Sequence, residues 1–409
     1  MKKTIAIAGT FDSKAEEFLY LKESIEKQGV ATLMIHTGVF EPKFTPDISN
    51  HEVASAVDGD IDAIAEERNR GEGTKLMAQG LEKLLPRLYE AGRFDGVISA
   101  GGSGGTSIVT PAMRALPIGV PKIMISTVAG GDVSVYVGAS DILMMPSIVD
   151  VAGLNAISRK IFTNACLAIT GMVTGEAERA AEHKSTIATS MFGVTTPCVE
   201  HARKVLEEKG YEVLVFHATG TGGKTMEKLV EDGLIDGVLD LTTTEWCDQL
   251  FGGNMAGGDH RLEAAVKQGV PQVVSVGALD MINFGPPETV PEKYADRKFY
   301  YHNPTVTLMR TTKENNETIG KVIAEKLNNA TSEMVLLLPE RGVSALDAEG
   351  QDFHDPEADT ALFKALKAGL NNPLVRIEDL DLHLNDEAFA EEAVRQLLKL
   401  MDEKQGGQA

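Results

Sequence analysis

Thr4-Ile-Ala-Ile-Ala-Gly9-Thr10-Phe11-Asp12-Ser13-Lys14 is a short apolar run that stops at glycine and gives way to small polar residues. Phe18, Leu21 and Ile25 follow at helical i, i+3, i+7 spacing, so the stretch predicts strand, loop and helix in that order. Three further β-rich runs repeat the theme. Val30 to Ile35 stops at His36-Thr37-Gly38, Gly96 to Ala100 stops at a glycine cluster, and Lys122 to Ser126 ends shortly before Gly130-Gly131. Short buried-looking strands alternating with helical stretches specify a parallel sheet with right-handed crossovers.

The pattern starts again at residue 186. Thr4-Ile-Ala-Ile-Ala is echoed by Thr186-Ile-Ala-Thr-Ser, Gly29 leads to His36 as Gly210 leads to His217, Phe94-Asp95-Gly96-Val97 matches Ile235-Asp236-Gly237-Val238, and Gly119-Val120-Pro121 matches Gly269-Val270-Pro271. Four echoes in one order point to an internal duplication. The expected fold is therefore α/β, with two tandem Rossmann-like domains of mainly parallel sheets over residues 1–180 and 181–409, joined through the charged stretch from Thr174-Gly175 to Lys184. A long helical pattern is read from Ser147 to Met172. Near the end, a strand is read at Met334 to Leu338 and an amphipathic helix from Asp386 to Met401, followed by a polar tail expected to be disordered.

The sequence holds 39 Lys and Arg against 60 Asp and Glu, a formal charge of −21. Such a surface repels nucleic-acid phosphates and anionic bilayers, so neither is an expected partner. Cys166, Cys198 and Cys247 are far apart and lack metal-ligand spacing, which argues against a disulfide framework and a structural zinc. With no signal core or membrane span legible, a soluble cytoplasmic protein is expected.

The strongest chemical signal is Gly101-Gly102-Ser103-Gly104-Gly105-Thr106, at the end of the third strand. Glycines let a backbone approach an anion closely, and a helix beginning near Thr106 would aim free N–H groups at it. Neither a Walker sequence nor a strict dinucleotide fingerprint is present, so the motif names an anion site and not a nucleotide. The plain alternative is a tight strand-to-helix turn. Thr10, Phe11, Asp12, Ser13 and Lys14 end the first strand and should face the cluster. Thr10 and Ser13 can donate to phosphate, Lys14 can neutralise it, and Asp12 can take a hydroxyl or amine, sit near Mg²⁺, or simply cap the helix. Thr127 and Asp132, after the fourth strand, would form a third wall, with Asp132 a second candidate metal ligand. Arg70, in a charged run expected to be a solvated face, is a further phosphate candidate.

In the second half, His217-Ala218-Thr219-Gly220-Thr221-Gly222-Gly223-Lys224 meets a P-loop pattern only in relaxed form and is read as a second anion loop. His260 and Arg261 are read as acid/base and anion clamp, or as helix-start residues. The run from His302 to Thr311 is read as a structural edge strand with Arg310 on the surface.

Taken together, Ile7-Ala-Gly-Thr-Phe-Asp-Ser-Lys14, Gly101 to Thr106, His217 to Lys224 and Gly257-Gly-Asp-His-Arg261 make the chain resemble an uncharacterised bacterial and fungal family. That family includes the ATP-binding inhibitory domain of the tomato mosaic virus resistance protein. The resemblance implies two Rossmann-like subdomains, ATP in the first with Mg²⁺ as companion, and a homodimer. It also implies a separate TIM-barrel-like partner protein, because the plant domain is fused to such a module.

The leading expectation is an ATP-binding protein that transfers phosphoryl or nucleotidyl groups to a small anionic metabolite held between the domains. One alternative is a non-catalytic nucleotide sensor or partner regulator. Another is an isomerase, lyase or hydrolase of a phosphorylated or carboxylated metabolite, with His217 or His260 as base.

Overall fold

The computed structural model describes residues 2–67, 69–175 and 184–406. The chain forms two compact units, Met1–Arg179 and Ala180–Ala409. Most of the expected joining stretch, 176–183, lies outside the described residues.

Unit 1 runs β1 (Thr4–Gly9), α1 (Ala15–Glu26), β2 (Ala31–His36), α2 (Asn50–Ser55), α3 (Ile61–Glu67), α4 (Arg70–Glu90), β3 (Gly96–Gly101), α5 (Ser103–Ala115), β4 (Lys122–Ser126), α6 (Ser134–Val137), β5 (Leu143–Pro146) and α7 (Ala156–Thr174). The five strands pair in parallel in the order β2-β1-β3-β4-β5. Helices cover both faces, which is why the strands read as unbroken apolar runs. Ile5 and Ile7 of β1 share a core with Phe18, Leu21 and Ile25 of α1 and with Phe162 and Ile169 of α7. Ala6 and Ala8 join the other core, with Met77 and Leu81 of α4 and Ile108 and Val109 of α5.

Unit 2 runs β6 (Thr186–Met191), α8 (Thr196–Glu208), β7 (Glu212–His217), α9 (Thr221–Glu231), β8 (Gly237–Thr242), α10 (Glu245–Phe251), α11 (Ala264–Gln268), β9 (Gln272–Gly277), β10 (Met281–Phe284), β11 (Phe299–Asn303), β12 (Val306–Arg310), α12 (Lys313–Leu327), β13 (Met334–Pro339), α13 (Pro356–Gly369), β14 (Val375–Leu380) and α14 (Glu387–Gly406). Its parallel sheet is ordered β7-β6-β8-β9-β13-β14, the unit 1 order with one strand added. A small antiparallel sheet, β10-β12-β11, is peculiar to this half.

The duplication is visible in bonding as well as in order. Ile5 pairs with Gly96 as Ile187 pairs with Gly237. Asp95 accepts from Thr4 N–H at 2.8 Å, and Asp236 accepts from Thr186 N–H at 2.8 Å. Gly29 and Gly210 both take positive φ, +84° and +93°, in the turn before the second strand, a conformation glycine adopts at little cost.

Several expectations are corrected. The helical pattern from Ser147 to Met172 splits, because β5 ends at Pro146 and α7 begins only at Ala156, capped by the Asn155 side chain on Ile157 and Ser158 N–H. Helix α5 starts at Ser103 and not near Thr106, so Gly104 and Gly105 lie in its first turn. Strand β12 is central in its small sheet and Arg310 is buried, bound to Asp347 and Asp359. Helix α14 continues to Gly406, five residues into the expected tail; 407–409 lie outside the described residues.

Candidate functional site

In unit 1 the connections after β1 and β3 leave on opposite faces of the sheet, and a doubly wound sheet has its ligand crevice at the carboxyl ends of two such strands. A cavity of about 700 Å³ lies there. Its lining takes Thr10, Asp12, Ser13 and Lys14 from the loop after β1 and Gly102, Ser103, Gly104 and Gly105 from the start of α5. The structure thus gathers most of the predicted first-half residues around one space.

The loop after β1 is held from beneath. Phe11 is buried, stacked on His36 and Phe44 and edge-on to Phe18, so it anchors the loop and does not face the cavity as expected. His36 Nδ1 accepts from Phe11 N–H at 3.1 Å and Gly38 N–H at 3.3 Å, which leaves its proton on Nε2, donated to the Phe40 carbonyl at 2.9 Å. Asp12 Oδ2 accepts from Phe40 N–H at 3.1 Å, and Lys14 Nζ donates to the Val151 carbonyl. The loop after β2 is thereby locked to the loop after β1.

At the opposite wall, a β-carbon at Gly104 would meet nothing within 4 Å, one at Gly102 only Thr127 Oγ1 at 3.6 Å, and one at Gly105 only the Ala100 carbonyl at 3.8 Å. Packing does not demand these three glycines; what they leave open is the cavity. The first N–H groups of α5 have no intrahelical acceptor and carry the positive end of the helix dipole. Gly101 differs, since a β-carbon there would press on Gly105 at 3.2 Å.

Thr106 is buried, its hydroxyl spent on the Gly102 carbonyl and Ser126, so it fixes the turn and is not a ligand donor as expected. Thr127 lies beside Gly102. Asp132 is exposed, and hydrogen bonds from Ser134 hold its carboxyl below the usual range. Arg70 opens α4, its side chain lying outside the described part. Sequence reasoning missed Thr37 to Glu41, Lys43, Thr74, Ile108 and Asp150, which complete the lining. The His36-Thr37-Gly38 stop after the second strand was the available signal for the first of these.

In unit 2 the loop expected to hold an anion is already filled. Gly220 is the N-cap of α9, and Glu245 Oε1 accepts from Gly220 N–H at 2.7 Å and Gly223 N–H at 3.1 Å. Its Oε2 accepts from Arg261 Nε at 2.7 Å. Arg261 is buried and also grips Asp240 through two bonds, at 2.5 and 2.7 Å, and Glu227 at 3.2 Å. It is a structural node, not an anion clamp, and its carboxylate neighbours raise its pKa well above the ordinary value against the opposing effect of burial. Gly222 and Gly223 are fixed by packing, because β-carbons there would sit 1.8 Å from the His217 carbonyl and 2.0 Å from Glu245 Oε2. Thr219, Thr221, Lys224 and His217 are exposed, and His260, with 84% of its side chain exposed, is paired to Glu263 at 3.0 Å. The expected acid/base residues are not set in an enclosed site.

Among the described residues no group of three or more His, Cys, Asp or Glu is placed to hold a metal ion. Burial pushes the Cys166 and Cys198 thiols up to about 12, which removes them as nucleophiles. No helix among the described residues is long and apolar enough to cross a membrane.

The profile described as "Uncharacterised protein family (UPF0261) N-terminal domain" matches residues 3–178, and that of the C-terminal domain matches 184–401. A UPF0261 protein of Clostridium tetani is 50% identical over 403 residues, covering 98% of this chain and all of that protein. One from Rhizobium meliloti is 49% identical, covering 96% of this chain and 98% of its own. The ToMV resistance protein Tm-1 of Solanum lycopersicum is 42% identical over 96% of this chain, which spans 55% of that protein. A solved UDP-GlcNAc 2-epimerase of Methanocaldococcus jannaschii covers 67% of this chain and 83% of its own at 12% identity and a TM-score of 0.24. The chain belongs to the uncharacterised family UPF0261, the family that also takes in the tomato resistance protein, as its motifs suggested.

Proposed function

We propose that unit 1 binds ATP, with the phosphates at the N-terminus of α5 and with Thr10, Ser13 and Lys14 facing them from the loop after β1. The carrying observation is that β-carbons at Gly102, Gly104 and Gly105 would meet little or nothing of the protein, and that the three glycines line the cavity. A helix N-terminus opening on such a space favours an anion, and the volume falls within the roughly 300–1,000 Å³ typical of small-molecule sites. Mg²⁺ does not fit the two carboxylates expected to hold it. Asp12 has Oδ2 on Phe40 N–H and an unpartnered Oδ1 sealed from solvent beside Gly38, and Asp132 is turned to Ser134.

Phosphoryl or nucleotidyl transfer needs a second anionic substrate, and Glu245 occupies the loop expected to hold it. That favours the second reading, a cytoplasmic nucleotide-sensing or partner-regulating protein that binds without turnover. The family resemblance adds a homodimer and a separate TIM-barrel-like partner to the proposal. Calorimetric titration with ATP tests it. We expect binding in the native chain and at least about a tenfold loss, roughly 1.4 kcal/mol, in Gly104→Val, whose β-carbon meets nothing of the protein within 4 Å at the cavity wall. Equal affinity in both proteins would contradict the assignment.

A further inference from the structure

The segment from Glu340 to Asp355 follows β13 in unit 2 and packs at the carboxyl end of β9, where Ala278 N–H donates to the Val343 carbonyl at 2.9 Å. A buried charge cluster ties it down. Arg310 donates to Asp359 at 2.8 Å, to Asp347 at 3.3 Å, and to the carbonyls of Phe353 and Asp355 at 2.7 and 3.4 Å. Asp347 accepts from Val343 N–H at 2.9 Å and Asp355 N–H at 3.3 Å. Asp280 accepts from the Ser344 hydroxyl at 2.7 Å, while its other oxygen is buried without a partner. These bonds join the segment to one guanidinium and the carboxylates around it, while backbone bonds from Glu340, Arg341, Gly342 and Ala345 to Leu380, Leu382, Leu384 and Val194 also hold its first residues.

Arg310, Asp280, Asp347 and Asp359 are all at most 5% exposed. One cation and three carboxylates would leave two uncompensated negative charges out of water, a state that proteins relieve by taking up protons. Neighbouring groups do not supply the balance. Arg297 bonds the Arg310 carbonyl and Asn315 and is paired with none of the three carboxylates, and Cys247 and Asp248 of α10 add only further acidic groups. His383 Nε2 meets the Ser344 carbonyl, His354 Nδ1 is buried without a partner, and the Asp355 carboxylate caps α13.

We propose that segment 340–355 is a proton-held latch: it lies closed on the ends of β9 and β13 while Asp280 and Asp359, the carboxyl groups beside Arg310, hold at least one proton, and it loosens when that proton is withdrawn. Burial, the main cause, raises both Asp280 and Asp359 above the ordinary carboxylate range, with Asp347 adding to the rise and Arg310 opposing it. The carboxyl ends of parallel strands are where this class of sheet receives ligands, so the latch would govern access to that edge of unit 2.

Hydrogen exchange of the full chain, read by mass spectrometry at pH 6 and pH 9 and normalised for intrinsic rates, tests the latch. Between pH 6 and pH 9, peptides within 341–355 should lose at least about tenfold more protection than β6 and β8 lose. The double variant Asp280→Asn, Asp359→Asn, neutral at both positions, should lose that pH dependence. Normalised protection independent of pH, or lost equally across the unit 2 sheet, would overturn the proposal. Infrared spectra of the native chain give a test without mutation: the carbonyl stretch of a buried protonated carboxyl group should be present at pH 7 and fade by pH 9, and its absence at pH 7 would overturn the proposal equally.

Discussion

At Gly104 a β-carbon would meet nothing within 4 Å, whereas at Gly222 it would sit 1.8 Å from the His217 carbonyl. Both glycines stand in the first turn of a helix that follows a parallel strand, and in sequence both belong to anion-loop strings. The first leaves room for something outside the chain; the second is held by the chain. Counted from the matched strand starts Gly96 and Gly237, Gly104 and Glu245 occupy the same step of the duplicated fold. Where unit 1 has an absent side chain and a cavity, unit 2 has a carboxylate that caps α9 and pairs with Arg261. A glycine motif states that backbone must come close to something, and only the third dimension says to what.

The largest effect that bears on this contrast is expected at Glu245. Glu245→Ala removes the acceptor of two buried N–H groups and one buried guanidinium bond, so unit 2 should lose about 3–5 kcal/mol in chemical denaturation. A loss under about 1 kcal/mol would mean that the carboxylate does not hold the loop. Gly222→Ala should cost more than about 2 kcal/mol by the same measurement, because the atom it would strike is backbone. A neutral result would make the two loops alike.

Acidity should separate the units as well. Burial raises Asp248 to about 7, and Asp280 and Asp359 also titrate above the ordinary carboxylate value when folded. The folded state then binds more protons than the unfolded chain, so stability falls as pH rises from the unfolded value of about 4 through about 8. Unit 2 should be less stable at pH 8.5 than at pH 5.5 by an order of 2 kcal/mol, read from denaturation midpoints. The opposite slope would show these carboxyl groups ionised in the folded protein. The smallest effect sharpens the comparison most. Gly104→Ala should change stability by no more than about 1 kcal/mol, since the site is helical and open, so any loss of ligand affinity reports on the cavity alone.

The architecture was legible because parallel strands buried on both faces leave apolar runs between glycine stops, and because the duplication kept Asp95 and Asp236 in their strand-locking role. Half of the cavity wall was legible for the same reason, lying at strand ends. The loop after β2 was not, since Thr37 to Lys43 are brought in by His36 and Asp12 contacts that no spacing rule encodes. Phe11 and Thr106 sit inside well-chosen motifs yet point into the protein, Phe11 into the aromatic cluster under its loop and Thr106 from the first turn of α5 onto Ser126 of β4. Arg310 was misplaced for a different reason. Its partners Asp347 and Asp359 come from beyond β13, and a lone arginine at a strand end carries no sign of that pairing.

Unit 1 leaves open what unit 2 fills with its own carboxylate. A crystal structure of the chain with ATP tests this contrast most directly. Phosphate oxygens are expected within hydrogen-bond distance of the N–H groups of Ser103, Gly104 and Gly105, with Glu245 still seated on Gly220 and Gly223. Phosphates found instead on Thr221 to Lys224, with Glu245 displaced, would contradict it.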